Sequence, residues 1–112
     1  MTQKEKQERA ESKQKRFRQI TEEMANLYEK KNADYGDSFG ETYRRLGLVS
    51  AVTRIQDKCN RLCNLAVNKG GQQVKDESIQ DTLIDLANYA IMTLVEMDEE
   101  ATEKFINANL KP

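Results

Sequence analysis

The sequence predicts an all-α fold, a helical bundle of three main helices plus a short C-terminal helix, completed by oligomerisation. Three observations lead there. A single Pro and five Gly in 112 residues leave few of the turn residues that many-stranded folds require. Apolar side chains recur at spacings of three and four, the period of one helix face. The chain is 38% hydrophobic and 33% charged, a balance suited to helices with one apolar stripe and a solvated back. Its length accommodates one domain, read as residues 17–112 behind a charged N-terminal extension, residues 1–16.

That extension has no core face. From Thr2 to Arg18 it carries seven basic side chains against three Glu, as either a solvated helical extension or a frayed tail. At Phe17 the pattern changes, and Phe17, Ile20, Met24, Leu27 and Tyr28 define the stripe of a first helix ending near Lys31. Asn32 to Gly40, rich in Asn, Asp, Gly and Ser, reads as the longest irregular stretch, followed by a short turn through Glu41 to Leu46. Leu48, Ala51, Val52, Ile55, Cys59, Leu62, Cys63 and Ala66 mark a second helix, ended by Lys69-Gly-Gly. Asp76 or Ser78 can cap a third, which runs to about Glu96. Leu83 to Val95 holds one charged residue in thirteen, so this helix is expected to be buried on most sides and central to the core. After the acidic cluster of Glu96, Asp98, Glu99 and Glu100, Ala101 to Leu110 forms the last short helix, with Phe105, Ile106 and Leu110 facing inward. The third helix supplies more apolar surface than so short a chain can cover, and packing against another copy, as a dimer or tetramer, is the expected remedy.

Composition excludes several function classes. With no His, neither Ser-His-Asp nor Cys-His nucleophilic catalysis is possible. Cys59 and Cys63, the only cysteines, cannot close a four-ligand zinc site with sulfur and imidazole alone, and read as small buried apolar residues. A net charge of -1 argues against generic DNA binding driven by bulk charge. No apolar run approaches the roughly 20 residues that cross a bilayer, so a cytoplasmic protein without a membrane partner is expected.

Two charged rows remain. Glu77, Asp81 and Asp85 lie four apart along one face of the third helix, and Asp85 sits inside its apolar stretch, where an ionised carboxylate needs a cation beside it. That cation is either magnesium, which takes oxygen ligands, or a basic side chain. Arg54, Lys58 and Arg61 form a basic row on the second helix, and an antiparallel hairpin about Gly70-Gly71 places Arg61 near Asp81 and Lys58 near Asp85. Interhelical ion pairs would then neutralise both rows with no ligand at all. Alternatively the basic row receives phosphates. The segment DYGDSFGETYRR adds Tyr35, Phe39 and Tyr43, rings on which a base can stack, beside Arg44 and Arg45, whose guanidinium forks suit phosphate oxygens.

The strings KKNADYGDSFGETYRRLG, RIQDKCNRL and DESIQDTLIDLANYAIM together resemble the nucleotide modification associated domain family, small proteins common in phage genomes, over roughly Leu27 to Glu96. The arrangement is also similar to MazG-type all-alpha NTP pyrophosphohydrolases, which hold magnesium with a Glu-x-x-Glu pair on one helix and Glu-x-x-Asp on another. Here Glu22, Glu23 and Glu29 do not make the first pair, and the third helix reads Glu77-x-x-x-Asp81. A two-metal clamp needs carboxylates on both sides of the phosphate, and one acidic row supplies half of it.

Three readings follow. The resemblance to phage proteins implies a binder that sequesters a nucleotide, including a cyclic nucleotide immune signal, with no cofactor. Arg44, Arg45, Arg54, Lys58 and Arg61 would take phosphates, and Tyr35 or Tyr43 the base. The likeness to MazG-type enzymes implies a Mg-dependent nucleotide pyrophosphohydrolase with metal ligands Glu77, Asp81 and Asp85. A helical protein-interaction module would bind no nucleotide. Binding without turnover is favoured, because basic residues outnumber usable metal ligands and the first acidic pair is absent.

Overall fold

The computed structural model describes residues 1–67 and 75–110, without the side chains of residues 35 and 75–77. All its regular structure is helical: α1 (Gln3–Tyr35), α2 (Ser38–Leu46), α3 (Leu48–Val67) and α4 (Lys75–Leu110). The chain divides into two compact units, Met1–Gly36 and Asp37–Pro112. No helix among the described residues is long and apolar enough to cross a membrane.

The first unit is α1, 33 residues without a break. A capping box starts it. The Thr2 hydroxyl accepts from the Glu5 backbone N–H at 3.1 Å while the Glu5 carboxylate accepts from the Thr2 N–H at 3.4 Å, satisfying two donors that a helix start leaves free. The charged stretch is thus a helical extension, joined continuously to the segment expected as the first helix. Phe17 and Ile20, expected in its apolar stripe, are exposed.

The second unit begins with the largest departure from expectation. Instead of a long irregular stretch and a turn, only Gly36 and Asp37 separate α1 from α2. The polar residues that signal a loop here act as helix punctuation. Asp37 is the N-cap of α2, its carboxylate accepting from the Gly40 N–H at 3.2 Å, and a Cβ at position 40 would overlap that carboxylate. Gly36 and Gly47 close α1 and α2 with φ of 69° and 77°, a region that side chains disfavour.

α3 and α4 then pack along each other, and α2 lies against both. Their register is antiparallel: Arg54, Lys58 and Arg61 on α3 meet Tyr89, Asp85 and Thr82 on α4, steps of four and three taken in opposite directions. The connecting Gly70-Gly71, the Lys69-Gly-Gly helix end and the Asp76 side chain lie outside the described residues. A small core of Phe39, Tyr43 and Ala51, with Tyr89 and Met92 packed on it, joins the three helices.

The inward face of α4 is not the expected one. Its buried side chains are Thr82, Thr93 and Glu96, whereas Leu83, Ile91, Leu94 and Val95 are exposed within the chain. On α3, Leu48 and Val52 are exposed, and of the two cysteines expected to be buried Cys59 is half-buried and Cys63 exposed. One rotation accounts for this: the basic row of α3 turns toward α4, and carries the apolar stripe away from it. The separate C-terminal helix is absent, since α4 continues for 36 residues through the acidic cluster to Leu110, leaving Phe105, Ile106 and Leu110 exposed. Good helix formers such as Glu, Ala and Lys occupy that stretch, and like charges in water repel too weakly to break it.

Candidate functional site

The α3–α4 seam gathers the chemistry of the second unit. At its α2 end the Phe39 and Tyr89 rings stack with centroids 5.9 Å apart and planes 20° from parallel. The Arg54 guanidinium carbon lies 5.6 Å from the Phe39 centroid and 5.9 Å from that of Tyr89, within cation–π range of both. The two faces fix a long side chain that would otherwise sample many rotamers, and among the described residues no carboxylate is within ion-pair distance of it. One turn further along α3, the Lys58 ammonium is 3.0 Å from the Asp85 carboxylate, both partly exposed. The next turn holds Arg61, whose Nε–H donates to the Thr82 hydroxyl at 3.3 Å. Thr82 in turn donates to the Ser78 carbonyl at 2.6 Å.

The expected meeting of Lys58 with Asp85 is present, and that of Arg61 with Asp81 is not. Asp81 is exposed, and Thr82, the next residue, is what Arg61 reaches. The acids are therefore unequal. Asp85→Ala strands a half-buried ammonium between Arg54 and Arg61 and is expected to cost about 1–2 kcal/mol, between the values for exposed and fully buried pairs. Asp81→Ala is expected to change stability by less than about 0.5 kcal/mol. Urea denaturation of the two variants checks the contrast.

The remaining expected ligands are dispersed. Arg44 is exposed and approaches Asp37 at 3.7 Å, near Glu96, seven residues or about 10 Å along α4 from Tyr89. Arg45 is exposed. Tyr43, expected as a stacking face, is buried in the core, and burial with the negative Glu100 and Glu96 nearby pushes its phenol pKa up. The side chains of Tyr35 and Glu77 lie outside the described residues. Among the described residues no three acidic or sulfur ligands come together that could hold a metal ion.

Sequence reasoning did not single out Tyr89, although it stands four residues after Asp85 on the same helix face. It places Glu96 only at a helix end within an acidic cluster; Glu96 is a buried carboxylate whose pKa is raised by desolvation and by Asp37, Glu99 and Glu103, against a lowering influence from Arg44. Since folding disfavours the charged form, the penalty is full above the raised pKa and vanishes as pH falls below the ordinary carboxylate value. Glu96→Gln is thus expected to raise the melting temperature at pH 7, and the gain should disappear on titration below about pH 4.

The model of the family Nucleotide modification associated domain 1 matches residues 31–97. The match spans the end of α1, α2, α3 and α4 as far as Met97, and so contains the whole seam. No curated protein and no solved structure matches the chain. With well over half its length matched, the chain belongs to the Nucleotide modification associated domain 1 family.

Proposed function

We propose that this chain is a phage-type nucleotide-binding protein that sequesters a nucleotide in the cytoplasm, without turning it over, and that a cyclic nucleotide immune signal is within its ligand class. The observation that carries the reading is Arg54, braced against Phe39 and Tyr89 and followed at one-turn steps by Lys58 and Arg61. A planar guanidinium held by two rings offers a pre-oriented fork to phosphate oxygens, with less side-chain entropy left to lose on binding. Lys58 and Arg61 extend the positive row, and Arg44 and Arg45 on α2 add charge to the same unit. Membership of a family associated with nucleotide modification is consistent with such a ligand.

The magnesium-dependent alternative fits the described residues less well. Asp85 is engaged by Lys58, Asp81 is exposed, and the described carboxylates do not form a three-ligand group. Incubating the purified protein with linear and cyclic nucleotides plus magnesium, then denaturing it by heat and chromatographing what is released, separates the readings. Depletion of a nucleotide from free solution with intact recovery supports sequestration. Conversion to a monophosphate and pyrophosphate would instead make the chain a pyrophosphohydrolase, and absence of depletion across the panel would leave a protein-interaction module.

A further inference from the structure

The apolar stripe of α3, from Leu48 through Val52 and Cys59 to Ala66, lies about a third of a turn around the helix from Arg54, Lys58 and Arg61. On α4 the exposed Leu83 and Leu94 are displaced in the same rotational sense from Thr82, Asp85 and Tyr89. Both helices are right-handed and they run antiparallel, so equal senses of rotation bring the two stripes to one side of the hairpin. This side carries no charged residue between Leu48 and Ala66 on α3, or between Leu83 and Leu94 on α4. A shallow groove of about 370 Å³, lined by Leu48, Val49, Val52, Thr53 and Gln56, borders this side on the surface of α3 turned away from α4.

We propose that this face is the interface with a second copy of the same chain. The proposal is independent of the nucleotide reading. Within the second unit the buried apolar core among the described residues is Phe39, Tyr43 and Ala51, too little to offset the chain entropy of three helices. The missing burial is available on the open side. α3 is about 30 Å long, and two helices side by side about 20 Å wide, giving about 600 Å² in projection and more as corrugated accessible surface. A stable interface buries about 800 Å² on each partner. The chemistry of the face selects a copy over a foreign protein, because an uncharged surface offers no pattern of charge by which to choose another partner, whereas a two-fold axis matches such a patch to itself.

Sedimentation equilibrium together with thiol labelling tests this on the unmodified protein. Cys63 is exposed in the single chain and lies on the proposed face. The expected mass is about 26 kDa, twice the 12.9 kDa chain. At concentrations giving that mass, Cys63 should react with a thiol reagent about tenfold or more slower than after dilution to monomer. Val52→Glu should return the mass to that of one chain, and Phe105→Glu, beyond the uncharged stretch, should leave it doubled. A mass of one chain at all concentrations, with fast labelling, would overturn the proposal. A doubled mass with Cys63 reacting at the monomer rate would overturn it too, by placing the interface elsewhere. If Val52→Glu fails to fold, the labelling rates of the unmodified protein decide.

Discussion

Phe39→Ala is expected to destabilise the second unit severely, lowering its stability by about 3 kcal/mol, as buried Phe truncations do. This ring is the point at which α2, α3 and α4 meet. It stacks on Tyr89, carries the Arg54 guanidinium on one face, and belongs to the core with Tyr43 and Ala51. Since that core is small, neighbouring side chains have little material with which to collapse into the space. Total stabilities of single domains are about 5–15 kcal/mol, so the loss is a large share of what holds the unit together. Urea denaturation followed by far-ultraviolet circular dichroism should show a lowered midpoint. Phe39→Leu, which keeps most of the volume, should lose less, whereas equal losses would indicate that the ring's stacking matters more than its bulk.

Arg54→Ala is expected to weaken nucleotide affinity by about ten- to a hundredfold, the equivalent of about 1.5–3 kcal/mol for a hydrogen bond to a charged group. The fold should lose less, about 1 kcal/mol, from the cation–π contacts to Phe39 and Tyr89. Arg54→Lys keeps the charge but not the fork, and should restore stability more fully than affinity. Equilibrium dialysis with a nucleotide that the protein depletes from solution provides the measurement. An Arg54→Ala variant that binds as tightly as the unmodified protein would remove the seam as the phosphate site, whatever its effect on melting.

The helical class was legible because proline is nearly absent and apolar residues repeat at three and four. The hairpin register was legible too, from the two charged rows, and Lys58 with Asp85 meets where those rows require. Which face would turn inward was not. The α3 sequence offers two faces to α4, an apolar one and a basic one, and hydrophobic periodicity identifies the first without saying whether it is buried within the chain or elsewhere. Helix α2 was missed for a different reason. Asn, Asp, Gly and Ser mark loops and helix starts alike, and Asp37 serves as a cap whose carboxylate requires Gly40 three residues on. In the candidate site, the basic row was visible as charge. The ring pair that fixes Arg54 was not, because Phe39 and Tyr89 are fifty residues apart and only the packing of α2 brings them together.

The buried threonines of α4 give the seam a direction. Each hydroxyl has one proton to offer, and Thr82 and Thr93 both spend it on their own helix, on the carbonyls of Ser78 and Tyr89 at 2.6 Å. Between Thr82 and Asp85, then, the α4 wall presents oxygen lone pairs, while Arg54, Lys58 and Arg61 on the α3 wall present only protons. Two opposite walls of this kind cannot both hold the same ion. They hold each other instead, Lys58 pairing with Asp85 and Arg61 donating to Thr82, each contact running from an α3 donor to an α4 acceptor. The seam is therefore polarised across its width, with its donors on α3 and its acceptors on α4.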